Sequence, residues 1–101
     1  MSIRRKIVAG LLTRRNLTPF ENRVLMNTFD ISRGNTISYK DLAAKSGRLR
    51  AYRAVGNIMN KNPYPILIPC HRVVASNHKL GGYAYGVRIK KLLLKTEGAK
   101  I

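Results

Sequence analysis

The sequence contains few aromatic, cysteine and acidic residues, and the low cysteine count excludes some classes of protein. Among 101 residues there is no tryptophan, one cysteine and only four acidic side chains. A single cysteine excludes an internal disulfide and leaves a free thiol, which suits a reducing compartment, so we expect a cytoplasmic protein. No second cysteine or close pair of histidines offers metal-ligand spacing, and we therefore expect no metal and no cofactor.

Long hydrophobic runs are also missing. The apolar stretch Ile7 to Leu12 is interrupted by Gly10 and lacks a convincing cleavage site, so we expect neither a signal peptide nor a membrane span. Positive charge is abundant instead, because 20 Lys and Arg residues face 4 Asp and Glu residues and give a formal net charge of +16. A domain this basic repels itself unless it meets a polyanion, and nucleic acid is the default partner.

Capping signals predict the starts of two helices. Thr18 and Glu21 match a capping box around Pro19, which suits the first helical position. Ser38 is a good N-cap for a second helix, which Gly47 should end. The basic segment before them, residues 1–16, is either a helix packed on the body or a loose arm.

A third helix, from about residue 50 to residue 60, should have two different faces. Apolar residues that recur at the helical period predict a buried stripe of Ala51, Ala54, Val55 and Ile58. The opposite, polar face carries Arg50, Arg53, Gly56, Asn57 and Asn60. Two helices joined by a short glycine-containing turn match a helix-turn-helix, whose second helix meets DNA. The alternative is the solvated face of an ordinary helical bundle.

The cysteine lies in the most informative segment, Ile66 to Val74, where a short extended run and Pro69 precede it. His71 and Arg72 follow Cys70 directly, and nearby cations favour the reactive thiolate by lowering a thiol pKa of about 8.5. One interpretation is a nucleophile activated by His71. The other is a buried cysteine that packs as a small hydrophobe, and a Cys-His pair alone does not decide between them.

The last third of the chain predicts a brief strand, a turn over residues 76–79, a loop over residues 80–86 and a final helix. That helix, about Val87 to Thr96, should bury Ile89, Leu92 and Leu93, and Gly98 should close it. We therefore predict a mainly α fold, a helix-turn-helix (winged-helix-like) DNA-binding domain with a short extended active-site segment and a C-terminal helix. Residues 1–16 would be an N-terminal basic extension to a domain over residues 17–101.

Seven short motifs occur in an order typical of one known family. They are Thr18-Pro19-Phe20, Ser38-Tyr39, Arg53-Ala54-Val55-Gly56, Asn62-Pro63, Pro69-Cys70-His71-Arg72-Val73-Val74, Leu80-Gly81-Gly82-Tyr83 and Glu97-Gly98. From Leu17 to Gly98 the chain resembles the active-site domain of the O6-alkylguanine-DNA alkyltransferases. The separate N-terminal domain that these proteins usually carry is not among the residues ahead of it. The related alkyltransferase-like proteins bind the same lesions but lack the reactive cysteine, which this chain keeps as Cys70.

The resemblance implies chemical roles for four residues. Cys70 would accept the alkyl group from guanine O6 in DNA by a single displacement, and each molecule would react once because the thioether is stable. His71 would act on Cys70 through a water, with Glu97 holding the imidazole. Tyr39 would donate a hydrogen bond or proton to the departing guanine. On the residues alone, Glu97 could be a surface carboxylate and Tyr39 a packing residue.

The resemblance also implies how the damaged base reaches the thiol. Arg53 would enter the duplex from the minor groove and fill the place of the extruded nucleotide, because the alkyl carbon cannot reach a thiol inside the stack. Asn62 would brace the turn before the cysteine, and Arg72 would make structural hydrogen bonds. The other pocket and structural residues that the resemblance implies are Val73, Val74, Tyr83, Ala84 and Tyr85.

The loop after residue 82 departs from the family's usual Tyr-Ser-Gly-Gly, since the chain has Ala84 and Tyr85 there. The ring of Tyr85 would reduce the room for large adducts or add a stacking surface. The leading hypothesis is a self-inactivating DNA repair methyltransferase, a monomer acting on double-stranded DNA, with other repair proteins as further partners. The alternative is a non-catalytic lesion-binding protein that recruits other repair factors.

Overall fold

Helices dominate the structure, a computed structural model that describes residues 2–76 and 79–99. In chain order the elements are α1 (Ile3–Thr13), α2 (Pro19–Phe29), β1 (Ile37–Ser38), α3 (Tyr39–Lys45), α4 (Tyr52–Asn60), a 3-10 helix (Cys70–Arg72), β2 (Val73–Val74) and α5 (Val87–Thr96). The predicted mainly α fold is confirmed. The turn predicted for residues 76–79 lies partly outside the described residues.

The basic N-terminal segment forms a helix that joins the common core. Ser2 caps α1 by accepting a hydrogen bond from the backbone N–H of Arg5 at 3.1 Å. Val8 and Leu12, four residues apart on one face, are fully buried in the core. The Arg5 guanidinium also pairs with Asp30, at the end of α2, with an N–O distance of 2.9 Å. The division of the chain at residue 16 stays a prediction.

Local capping chemistry sets the starts of α2 and α3 as predicted. The hydroxyl of Thr18 accepts from the N–H of Glu21 at 3.1 Å, and the Glu21 carboxylate accepts from the N–H of Thr18 at 3.0 Å. At α3, the hydroxyl of Ser38 accepts from the N–H of Asp41 at 3.0 Å. Each cap satisfies backbone donors that a helix start leaves without a partner.

The helix-turn-helix consists of α3 and α4, which pack on each other and on α2. Helix α4 begins at Tyr52, two residues later than predicted, and buries Val55, Ile58 and Met59. The prediction that Ala54 faces the core is wrong, because the stripe is centred on Val55 and Met59 and turns position 54 toward solvent.

A two-residue parallel pairing joins the helix-turn-helix to the cysteine segment. Strand β1 pairs with β2 in the register Ile37 to Val73 and Ser38 to Val74. Because β2 follows the cysteine turn directly and α3 follows β1 directly, the pairing places Tyr39 beside the segment that carries Cys70.

The run before the cysteine is a turn, and the prediction of an extended segment there is wrong. Ile66 has a φ of +73°, a conformation that is rare for a β-branched residue. The N–H of Ile68 donates to the carbonyl of Tyr64 at 2.8 Å and closes the turn. The prediction failed because a short run of apolar residues is also typical of a buried strand.

Helix α5 has the predicted bounds but presents a different face to the core. Ile89 and Leu92 are exposed and Leu93 is half-buried, whereas Lys90 and Leu94 are fully buried. The prediction failed because it placed the apolar residues inside and the lysines outside. Lys90 can lie inside because its ammonium finds two backbone carbonyls, which offset part of the cost of burying a charge.

Candidate active site

Cys70 is buried in a tight turn between α4 and β2. Its exposed fraction is 5%, and its N–H donates to the carbonyl of Ile68 at 2.7 Å. Burial raises the pKa of the thiol, while a hydrogen bond from Asn62 and the charge of Lys90 act in the opposite direction. The prediction that adjacent cations lower this pKa is wrong, because the side chains that follow the cysteine bind Glu97 instead.

Glu97 is the centre of a buried ionic cluster. Arg72 donates to both carboxylate oxygens, at 2.9 Å to Oε1 and 2.7 Å to Oε2, and also donates to the carbonyl of Ile31 at 2.6 Å. The hydrogen bonds from Arg72, followed by that from His71, lower the pKa of Glu97 to about 2. The carboxylate is therefore ionised at neutral pH, and Arg72 joins the end of α2, the cysteine turn and the end of α5.

The imidazole of His71 is oriented by the same carboxylate. His71 is 2% exposed, and its Nε2 lies 3.0 Å from Oε2 of Glu97. An ionised carboxylate only accepts, so Nε2 is the nitrogen that carries the hydrogen. The other nitrogen, Nδ1, is buried and has no hydrogen-bond partner within residues 2–76 and 79–99. Nδ1 is thus the atom of this ring that can accept a proton.

Asn62 ties the turn before the cysteine together. Its side-chain amide donates to the carbonyl of Ile68 at 2.8 Å, and its Oδ1 accepts from the N–H of Tyr64 at 3.0 Å. Both bonds lie across the segment where two prolines remove backbone donors. The side chain therefore fixes the path of the chain from α4 to Cys70.

Tyr39 lies against the glycine-rich loop after the cysteine. Its hydroxyl donates to the carbonyl of Gly82 at 3.3 Å, and burial raises its pKa, with a smaller contribution from the charge of Cys70. Gly81 has a φ of +74°, and a Cβ there would lie 2.9 Å from Cε2 of the Tyr39 ring. Only glycine allows the loop to approach the ring this closely.

Lys90 is a site residue that the sequence interpretation missed. Its ammonium donates to the carbonyls of Val73 at 2.6 Å and Gly82 at 3.0 Å, and lies 5.7 Å from the centre of the Tyr39 ring. Burial lowers the pKa of Lys90 to about 8, an effect partly offset by the charge of Cys70. The only sequence signal was its position four residues before Leu94 and seven before Glu97, on one helix face.

Two tyrosines extend the site toward the surface. The ring of Tyr83 makes edge-to-face contacts with His71 at 6.4 Å and with Tyr85 at 5.6 Å. Burial raises the pKa of Tyr83 to about 12. Tyr85 is 59% exposed and Ala84 is also exposed, so the atypical part of the loop forms the outer rim. Val73 is fully buried and Val74 half-buried beside the cysteine turn.

The predicted DNA-facing residues lie apart from this cluster, on the outer side of α4. Arg53, Asn57 and Asn60 are exposed and Gly56 is half-buried, while Arg50 is exposed in the turn before the helix. Within the described ranges, none of these side chains makes a hydrogen bond or an ion pair. No helix among the described residues has the length and apolar content needed to cross a bilayer.

Comparisons with known proteins identify the family of the chain. The family model for the DNA-binding domain of 6-O-methylguanine DNA methyltransferase matches residues 19–99. A methylated-DNA–protein-cysteine methyltransferase of Methanosarcina barkeri is 50% identical over 80 residues, 79% of this chain and 51% of that protein. The chain therefore spans about half the length of the curated relatives it matches.

Two solved structures are similar in fold. Mycobacterium tuberculosis OGT in complex with DNA has a TM-score of 0.78 and 40% identity, covering 81% of this chain and 50% of that one. S. pombe Atl1 in complex with damaged DNA containing O6-carboxymethylguanine has a TM-score of 0.73 and 26% identity, covering 86% and 82%. With a family match over most of its length, the chain belongs to the family of the 6-O-methylguanine DNA methyltransferase DNA-binding domain.

Proposed function

We propose that the protein repairs O6-alkylguanine in double-stranded DNA by moving the alkyl group to its own Cys70. The observation that carries this proposal is the ordered set of Cys70, His71 and Glu97, with the carboxylate fixed by Arg72 and by the imidazole at 3.0 Å. A buried cysteine that served only as a small hydrophobe would need no oriented histidine beside it.

The proposed step is a single displacement at the alkyl carbon. The sulfur of Cys70 attacks that carbon, the new S–C bond forms, and the bond between the carbon and guanine O6 breaks. The thiol proton passes to Nδ1 of His71, directly or through a water, and Glu97 balances the charge of the imidazolium. Because burial raises the pKa of the thiol, this base is needed at neutral pH. The thioether has no release step, so each molecule reacts once.

Tyr39 serves the leaving group in this proposal. Its raised pKa keeps the hydroxyl protonated at neutral pH, so it can donate a hydrogen bond or proton to the departing guanine. The pairing of β1 with β2 supports the assignment, because it places the start of α3 beside the cysteine segment. Val73 and the Cys70 backbone would meet the edge of the base, and Tyr83 would wall the pocket.

Helix α4 is the proposed DNA contact. Its outer face offers donors that have no hydrogen-bond partner within the described part of the chain, as phosphate contacts require. We assign Arg53 to the space that the extruded nucleotide leaves in the duplex, and Arg50, Asn57 and Asn60 to the flanking backbone. Gly56 lets a phosphate approach the helix closely.

A second function is favoured by one observation. S. pombe Atl1, solved in complex with damaged DNA containing O6-carboxymethylguanine, has a similar fold with a TM-score of 0.73 and 26% identity. The alternative function is therefore to bind the alkylated base and recruit other repair factors without transferring the alkyl group. Cys70 and its oriented histidine favour transfer, because binding alone needs neither.

Mass spectrometry separates the two functions. The protein is mixed with a duplex containing O6-methylguanine, and the peptide that contains Cys70 is weighed before and after. Transfer predicts one added methyl group on this peptide and its absence in Cys70→Ser, which should still bind the duplex. Tight binding of the unaltered protein with no mass change would reject transfer in favour of recognition alone.

We also propose that the protein acts as a monomer in the cytoplasm, associated with the nucleoid, or in the nucleus if its source is a eukaryote. A free thiol supports a reducing compartment, and the charge of +16 opposes self-association while favouring DNA. Sedimentation of the purified protein alone and with a short duplex tests this. One protein mass without DNA is the expected result, and a stable dimer would reject it.

A further inference from the structure

The carbonyl of Gly82 is shared by two donors from different elements. The hydroxyl of Tyr39, at the start of α3, donates to it at 3.3 Å, and the ammonium of Lys90, in α5, donates at 3.0 Å. A carbonyl oxygen has two lone pairs and can accept both bonds. The loop that carries Gly82 is therefore held from two sides.

The two donors differ in how firmly they are fixed. Lys90 is fully buried, and its second bond, to the carbonyl of Val73 at 2.6 Å, fastens it to β2. The bond from Tyr39 is long, and its hydroxyl carries a single hydrogen that can point to only one acceptor. The short bonds of a buried ammonium are charge-assisted and stronger than a neutral hydroxyl bond. Lys90 is thus the anchor of this carbonyl, and Tyr39 is the partner that can leave.

Departure of Tyr39 is what the proposed chemistry requires. To donate to the guanine that leaves Cys70, the hydroxyl must release the carbonyl of Gly82. If Tyr39 were the only donor, its release would leave the exposed loop at Gly82 without this tie to the rest of the site. While Lys90 keeps its bond, the carbonyl stays paired and the loop stays in place.

We propose that Lys90 is a positioning residue that holds the loop carbonyl of Gly82, so that the Tyr39 hydroxyl is free to serve the leaving guanine. This inference rests on the proposed function and adds to it a residue in α5 that touches neither DNA nor the alkyl group. Gly81 supports it, because a Cβ there would lie 2.9 Å from the Tyr39 ring, so the glycine allows the loop to lie this close to the hydroxyl it must release.

A double-mutant cycle on the rate of methyl transfer tests the proposal. Lys90→Met and Tyr39→Phe are each expected to slow transfer from a saturating methylated duplex by on the order of tenfold or more. If Lys90 acts through Tyr39, the double variant is no slower than the slower single variant. Losses that multiply would overturn the proposal, because Lys90 would then act on another group, such as the thiol.

Two controls separate positioning from folding. Lys91→Met makes the same change one residue along α5, at an exposed position, and should leave the rate unchanged. Circular dichroism and thermal unfolding report whether Lys90→Met folds. If it does not, Lys90→Gln replaces it, and because its amide keeps a donor for Gly82, its transfer rate should stay within a few-fold of that of the unaltered protein; a loss of about tenfold or more in a folded Lys90→Gln would overturn the proposal.

A readout without DNA keeps this inference distinct from the proposed function. Carbon-13 NMR of labelled tyrosine, assigned with Tyr39→Phe, follows the ionisation of Tyr39. Without the ammonium near its ring, the pKa of Tyr39 should rise further in Lys90→Met and stay constant in Lys91→Met. An unchanged pKa in Lys90→Met would overturn the positioning role. Absence of methyl transfer in the unaltered protein would reject the proposed function alone.

Discussion

The polar side chains around Cys70 and those on the outer face of α4 differ in whether they bind other groups of the protein. Around Cys70, the carboxylate of Glu97, the guanidinium of Arg72 and the ammonium of Lys90 all bind groups of the protein itself. On α4, the polar side chains, among them Arg53, reach into solvent without such partners in the described part of the chain.

The difference between the two regions follows from the function proposed for each. Displacement needs donors and acceptors already oriented when charge develops, so their partners are internal. Contact with a phosphate backbone is made with an external anion, so the side chains that make it must stay free until DNA arrives. The hydrogen bonds and ion pairs around Cys70 should therefore determine the rate of transfer. The exposed polar side chains of α4 should determine the affinity for DNA.

The largest expected effect concerns stability in acid. Glu97 has a folded pKa of about 2 against an ordinary value of 4.5, so its contribution is complete above pH 4.5 and is lost as the pH falls toward 2. At 1.36 kcal/mol per pKa unit, this contribution is at most about 3 kcal/mol. Urea unfolding at several pH values measures it. In Glu97→Gln, the protein should be less stable at pH 7 and should lose less between pH 4.5 and pH 2. Equal losses of stability in both proteins would show that the ionised Glu97 carboxylate does not stabilise the fold.

The second effect concerns the rate of transfer. Glu97→Gln should slow methyl transfer to Cys70 by on the order of tenfold to hundredfold, because the imidazolium loses its balancing charge. DNA affinity should change little. Glu21→Gln is the matched control, since glutamine preserves a capping box and lies outside the cluster. A variant Glu97→Gln that transfers as fast as the control would remove this residue from the mechanism.

The third effect concerns α4. Arg53→Ala should slow transfer from duplex DNA by about tenfold at saturating protein, since the extruded state loses its support, and should leave transfer from the free methylated base unchanged. Arg50→Ala, in the turn before the helix, should only weaken binding and reduce its salt dependence. Parallel losses on duplex and free base, or identical behaviour of the two variants, would make Arg53 an ordinary phosphate contact.

The smallest effect concerns the rim. Tyr85 contacts Tyr83 edge-on and is largely exposed, so it should hinder a large adduct and leave a methyl group unaffected. Tyr85→Gly should raise the rate with benzylguanine a few-fold relative to methylguanine, while Tyr85→Phe, which keeps the ring, should not. If the ratio of the two rates is the same in all three proteins, the ring does not limit the pocket.

Local signals in the sequence were sufficient for the starts of α2 and α3, because a cap involves residues only three apart. The capping box of Thr18 with Glu21 and the cap of Ser38 were predicted for this reason, whereas α5 begins without a side-chain cap. The order of the Cys70, His71 and Glu97 motifs led to the candidate site through the family resemblance.

Features that depend on distant parts of the chain could not be predicted from the sequence. The inward position of Lys90 depends on carbonyls of a strand and a loop, which no helical period reveals. The raised pKa of Cys70 depends on the burial of the thiol in the folded chain. The turn at Ile66 depends on the side chain of Asn62, which lies before the two prolines.

The bond between His71 and Glu97 spans 26 residues and therefore has a consequence for biosynthesis. During translation, Cys70 and its histidine are made well before the carboxylate that orients the imidazole. Until α5 has emerged and docked, the thiol has neither an oriented base nor the buried Lys90 nearby. A nascent chain would thus carry an ordinary cysteine, and under the proposed single transfer the thiol would not be consumed before synthesis has reached α5.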